Sequence, residues 1–170
     1  MGATCLINVG RALARKNRGW LMSWNDLRKG RYSHASAEYF ITFNTHNRLS
    51  IFEDVKIARL FCQHIAVHEQ KHQCKWLTWV LMPDHFHGLL RLGEKEQLSK
   101  VIAELKGTTA YKINAELGRK GKLWQTSFYD HALREEENRK NIARYIVANP
   151  LRKGLVKDIK NYPYWNSIYL

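Results

Sequence analysis

Residues 79–90 read Trp79-Val80-Leu81-Met82-Pro83-Asp84-His85-Phe86-His87-Gly88-Leu89-Leu90, and this run allows few structures. It is apolar on both sides of Pro83 and Asp84, which punctuate it. Two short apolar stretches meeting at such a break predict a β-hairpin, with strands over about 76–81 and 86–92. Alternate side chains on a strand point the same way. His85 and His87 therefore project from one face as a two-imidazole chelate for a divalent metal. The same spacing also suits a half-exposed polar pair, so the histidines acquire meaning only from what accompanies them.

The companion segment is Tyr145-Ile146-Val147-Ala148-Asn149, about sixty residues later. It reads as the end of a helix, where positions i and i+4 share a face. Tyr145 and Asn149 then sit side by side, a nucleophile next to a third oxygen ligand. Taken singly, Tyr145 also fits an amphipathic core position. Asn149, standing before Pro150, also fits a residue that ends a helix.

The rest of the chain supplies a frame. Residues 38–45 are rich in aromatic and β-branched types and predict a strand. Apolar residues at helical spacing predict helices over 52–72 and 97–117. Arg119, Lys120, Gly121 and Lys122 make a basic turn, and 124–133 predicts a further strand. Glu135, Glu136 and Glu137 are read as opening the last helix, where acidic residues complement the N-terminal dipole. That helix runs to about Ala148. An aromatic tail, Tyr162-Pro163-Tyr164-Trp165, is expected to pack back on the domain. The order β-α-β-β-α-β-α implies an α+β fold, helices packed on a mostly antiparallel sheet, with the His pair on a central strand. Residues 1–22 look unlike the rest and are read as a flexible extension, leaving 23–170 as one domain.

Charge narrows the partner. The chain has 28 Lys plus Arg against 15 Asp plus Glu, a formal net charge of +13. Such an excess favours a polyanion through counterion release. Six tryptophans and eight tyrosines accompany it, and aromatics among basic residues suit single-stranded nucleic acid. No run has the length of a membrane-spanning helix. Three cysteines, Cys5, Cys62 and Cys74, lack metal-site spacing; an odd count without a secretion signal predicts free thiols in a reducing cytoplasm.

One motif competes. His68-Glu69-Gln70-Lys71-His72 matches the His-Glu-x-x-His of zinc proteases, where two histidines on one helix face hold zinc and the Glu is general base. Lys71 intrudes, the helix ends at once, and no third ligand follows. A solvated helix end is the reading adopted.

Five blocks, in order, resemble the REP-associated tyrosine transposases, a single-tyrosine branch of the HUH endonucleases. They are Leu27-Arg28-Lys29-Gly30-Arg31, Tyr39-Phe40-Ile41-Thr42-Phe43, residues 80–87, Leu123-Trp124-Gln125 with residues 129–134, and residues 145–156. The resemblance spans roughly 27–169. It implies a ferredoxin-like sandwich in which His85 and His87 bind Mg²⁺ or Mn²⁺, Asn149 adds an amide ligand, and Tyr145 is the nucleophile. Tyr129 is a rival by local chemistry alone. The family often has Asn before the first His, where this chain has Asp84. The implied substrate is an imperfect single-stranded DNA hairpin with a short flank. The implied reaction is cleavage and strand transfer through a 5′-phosphotyrosine, by a monomer or a homodimer. A module that binds such hairpins without cutting is the alternative. Candidate DNA contacts are Arg28, Lys29 and Arg31 in the lead-in, Arg119, Lys120 and Lys122 in the basic turn, and His131, Arg134, Arg152 and Lys153 nearer the tyrosine.

Overall fold

Among the described residues, five strands numbered in chain order, β1 (Glu38–Asn44), β2 (Lys75–Met82), β3 (His85–Arg91), β4 (Tyr129–Ala132) and β5 (Trp165–Ser167), form one sheet in the order β4-β1-β3-β2-β5, with every pairing antiparallel. The structure, a computed structural model, describes residues 36–170. The expected extension, the boundary at residue 23 and the lead-in candidates Arg28, Lys29 and Arg31 lie outside the described residues. Helix α1 is Val55–His72, α2 Leu98–Glu116 and α3 Arg139–Val147, followed by a one-turn helix α4, Asn149–Arg152.

The hairpin lies where the sequence puts it. Met82 pairs with His85 across the Pro83-Asp84 turn, and β3 is the central strand. Strand alternation then sorts the side chains into two cores. One holds Ile41, Phe43, Leu81, Phe86 and Leu90, covered by Phe61 and Ile65 of α1 and Ile102 and Leu105 of α2. The other holds Phe40, Val80, Met82 and Leu89, covered by Ile146 of α3 and Tyr162 of the tail. His85 pairs with Met82, and His87 with Val80, so both histidines face the second core.

Helix ends are set locally. Asp54 caps α1, its Oδ1 accepting from the backbone N–H of Lys56 at 2.8 Å and Ile57 at 3.2 Å. Gln73 ends it in the left-handed region. The last long helix departs from expectation. Glu135–Glu137 is not helical, and α3 begins after Asn138, whose side chain accepts from Asn141 N–H at 3.0 Å. The physical reason is competition for the glutamates and their carbonyls. Glu137 takes His131 Nε2 at 3.0 Å and Arg134 N–H at 2.8 Å. Arg139 Nη1 collects the carbonyl oxygens of Arg134, Glu135 and Glu137. These contacts fold the run into a turn.

Two other expectations change. The strand predicted over 124–133 is reduced to Tyr129–Ala132 plus a single bridge between Trp124 and Thr45. Lys106 explains the gap: its ammonium donates to the carbonyls of Gln125, Thr126 and Ser127 at 2.7, 3.2 and 3.1 Å, taking acceptors a strand would use. The aromatic tail does pack back, and it also adds β5 to the edge of β2. Tyr162 O–H donates to Leu81 O at 2.7 Å, and Leu81 N–H to Tyr164 O at 2.9 Å.

Gly88 lies where a side chain has no room. A Cβ there would sit 2.5 Å from the Trp76 ring and 2.8 Å from Phe86. Gly88→Ala is expected to destabilise the fold by roughly 1–3 kcal/mol through overpacking, read as a lower midpoint in urea denaturation.

Candidate active site

The rings of His85 and His87 lie edge to face, 4.7 Å between centroids. Each already has its Nδ1 engaged. Asp84 Oδ1 is 2.5 Å from His85 Nδ1, and Thr42 Oγ1 is 2.7 Å from His87 Nδ1. Arg48 Nη1 in turn holds Asp84 at 3.2 Å. An oxygen partner on one ring nitrogen orients the imidazole and presents the other nitrogen for ligation. Nε2 of both rings is the atom this arrangement offers.

Electrostatics agree with that role. Burial pushes His87 down to about 3, and the charges of His85, Arg48 and Arg152 act the same way. Burial also lowers His85, against the hydrogen bond and charge of Asp84. Both rings are therefore neutral at neutral pH, the form that ligates metals. Asp84 keeps its charge: burial works against it, but the bond to His85, backed by Arg48, holds its carboxyl below the usual range.

Phe40 joins the histidines to the tyrosine helix. Its ring stacks near His87 at 5.9 Å and meets Tyr145 edge-on at 6.5 Å. Tyr145 thus flanks the same aromatic floor as the His pair. The Arg152 guanidinium lies 4.6 Å over the Tyr145 ring, a cation–π contact.

Asn149 is 7% exposed and secures the helix end. Its Nδ2 donates to the carbonyls of Tyr145 at 3.0 Å and Ile146 at 2.9 Å. The expected stop at Asn149-Pro150 is instead a junction, because Pro150 enters α4 in its first turn, where a missing N–H costs nothing. With both amide hydrogens committed, Oδ1 is the Asn149 atom left for ligation. Among the described residues, no group of three or more His, Cys, Asp and Glu side chains is arranged to hold a metal ion. A metal on the His pair would need further ligands besides the two imidazoles.

The expected basic candidates divide. Arg152 and Lys153 stand by the site, their charges reaching His87 and His85 respectively. Lys120, Lys122 and Arg134 are exposed, and Arg119 is partly buried. The basic turn leads into Leu123, whose carbonyl accepts from His46 N–H at 2.7 Å, two residues from Arg48. His131 is committed to Glu137 and braces the turn before α3. Sequence reasoning missed Arg48 and Thr42. Thr42 became visible only through strand register, because it pairs with His87. Arg48 follows Asn47 with both residues in the left-handed region, a turn that no spacing rule announces.

The His-Glu-x-x-His match is not a solvated helix end. His68 and His72 are 5% and 3% exposed, on the side of α1 that meets Val101 and Glu104 of α2. His68 Nε2 bonds to Val101 O at 2.9 Å. The His72 nitrogens lie 3.1 Å from Glu96 and 3.3 Å from Glu104, at ion-pair distance but out of line for hydrogen bonds. Glu69 accepts from Trp76 N–H at 2.7 Å and from Lys75 at 3.1 Å. Such a carboxylate is a structural brace and is not positioned as a base.

Known proteins resolve the family. The model of the family described as "Transposase IS200 like" matches residues 33–149, from before β1 to Asn149. This chain belongs to that family. The REP-associated tyrosine transposase of Escherichia coli strain K12 is 26% identical over 135 residues, 79% of this chain and 78% of that protein. A solved structure of a REP-associated tyrosine transposase bound to a REP hairpin aligns with TM-score 0.66 and 26% identity, covering 79% of each chain. Tyrosine transposases are enzymes, and the α+β fold with an antiparallel sheet is shared with that structure. No helix among the described residues is long and apolar enough to cross a membrane.

The helix-packing role of the second His pair is open to test. His72→Ala is expected to lower stability by about 1–3 kcal/mol, since Glu96 and Glu104 lose a buried partner. Cleavage by the folded variant stays at the wild-type level; a specific loss of cleavage at unchanged stability would contradict the assignment.

Proposed function

We propose that this IS200-like transposase cuts and rejoins single-stranded DNA beside imperfect hairpins, using Tyr145 as nucleophile and a divalent cation on His85 and His87. The observation that carries this reading is the anchoring of both Nδ1 atoms, by Asp84 and Thr42, on a strand whose neighbour Phe40 also supports Tyr145. The net charge of +13 and the REP hairpin held by the structural relative support a DNA hairpin as substrate.

The residues divide the work. His85 and His87 fit a hard divalent cation in part, as two neutral imidazoles with oriented Nε2 atoms; Asn149 Oδ1 would add an oxygen to a mixed nitrogen and oxygen set. Mg²⁺ or Mn²⁺ bound there would neutralise charge developing on the scissile phosphate. Arg152 and Lys153 place positive charge where a phosphodiester would lie. The Tyr145 oxygen attacks phosphorus as the bond from phosphorus to the 3′-oxygen breaks, and the phenolic proton is given up as the 3′-hydroxyl leaves. The product is a 5′-phosphotyrosine. Attack by another 3′-hydroxyl reverses the exchange, restores the phenol and joins strands without an external energy source.

Two expected outcomes follow from this division. Tyr145→Phe removes one oxygen, so hairpin binding is retained while the covalent protein–DNA adduct disappears. In the wild type, mass spectrometry of the nuclease-trimmed adduct should locate the nucleotide on Tyr145. A nucleotide on Tyr129 would sink the assignment. The paired change His85→Ala with His87→Ala should likewise abolish cleavage but not binding, because phosphate contacts dominate affinity.

Asp84 supplies a separate test of the metal site. Removing the carboxylate in Asp84→Ala frees His85 Nδ1 and should weaken Mn²⁺ binding roughly 10- to 100-fold, measured by titration calorimetry. Unchanged Mn²⁺ affinity would show that the cation is held elsewhere.

A further inference from the structure

Tyr129 has no part in the chemistry above, yet it sits on the same surface. It pairs with Thr42 across β4 and β1, and Thr42 pairs with His87 across β1 and β3. Facing residues on adjacent strands point the same way. Tyr129, Thr42 and His87 therefore form one row, with Tyr129 two strand spacings, about 10 Å, from His87. Its ring meets Phe40 edge-on at 6.3 Å, the same ring that supports His87 and Tyr145. Helix α3 and the tail cover the β3-β2-β5 half of this face. Tyr129, at the β4 edge, is 44% exposed.

The exposed ring is also held in place. Lys106 gathers the three carbonyls of residues 125–127, immediately before β4. Its ammonium thereby orders the segment that delivers Tyr129. The phenol is itself poorly suited to ionise: burial raises it, and Asp130 and Glu137 add to the effect. A half-exposed aromatic side chain beside the proposed phosphate site suits the flat face of an unpaired nucleobase.

We infer that Tyr129, backed by Phe40, is a stacking platform for an unpaired base of the DNA strand next to the scissile phosphate. This rests on the single-strand activity proposed above and deepens it. The platform would read the presence of a single-stranded flank and leave the hairpin stem to the basic residues. Stacking is tolerant of base identity, so the platform selects unpaired structure and not sequence.

The test uses the full chain and two labelled DNAs: a hairpin with a short single-stranded flank taken from the DNA beside the gene, and the same stem without the flank. Fluorescence anisotropy should show that the wild type prefers the flanked hairpin. Tyr129→Ala should lose roughly 5- to 150-fold in affinity for the flanked DNA, with stem-only affinity unchanged and a thermal melt matching wild type. Tyr129→Trp should restore the preference. In the wild type, 2-aminopurine at one flank position should be quenched on binding, a readout independent of any variant. Equal loss on both DNAs, retention of the flank preference in Tyr129→Ala, or no quenching at any flank position would each overturn the platform. A wild type that binds neither DNA would remove the parent reading, and this one with it. Flank preference that survives Tyr129→Ala would remove only the platform.

Discussion

Antiparallel pairing of β1 with β3 is the constraint on which the site depends. It sets Thr42 opposite His87 and Asn44 opposite His85. Because side chains alternate, a slip of one residue in β3 would send both histidines into the core formed with α1 and α2, and Phe86 out of it. Phe86 prevents the slip. Its ring is fully buried among Phe43, Phe61 and Trp76, with centroids 5.0–5.4 Å away. Apolar burial on one face thus holds polar chemistry in register on the other.

The site also illustrates how a basic protein stays selective about where its charge acts. Lys106 is turned inward to carbonyls, Arg139 is spent on a turn and on Glu38, and Lys71 pairs with Glu104. Arg48, Arg152 and Lys153 act instead on the His pair. Arg48 does so twice, since it also steadies the Asp84 carboxylate that orients His85. The Asp84 carboxylate is thus held between a hydrogen bond to an imidazole and an ion pair with a guanidinium.

Much of this was legible in the chain. The hairpin, the helices near 52–72 and 97–117, the shared face of His85 and His87, and the return of the aromatic tail follow from alternation and helical spacing, which are local properties. The errors share a cause. Glu135–Glu137 resembled a helix start until His131, Arg134 and Arg139 claimed its groups. Residues 124–128 resembled strand until Lys106, about twenty residues away in sequence, took their carbonyls. His68 and His72 resembled a solvated end until α2 packed on them. In each case a distant residue outcompeted a local preference.

Residue types and their spacing are properties of the chain alone: two histidines on one side of a central strand, a tyrosine on a late helix, and a cationic chain around them. Periodicity is written residue by residue, so it survives without a fold. Which atoms meet depends on the packed fold. It gave Thr42 and Asp84 to the imidazoles, set Phe40 between His87 and Tyr145, laid Arg152 over Tyr145, and left Tyr129 exposed at the sheet edge. Those contacts join segments up to about a hundred residues apart. They arise when burial of two apolar faces forces the strands into one register, which no local pattern encodes.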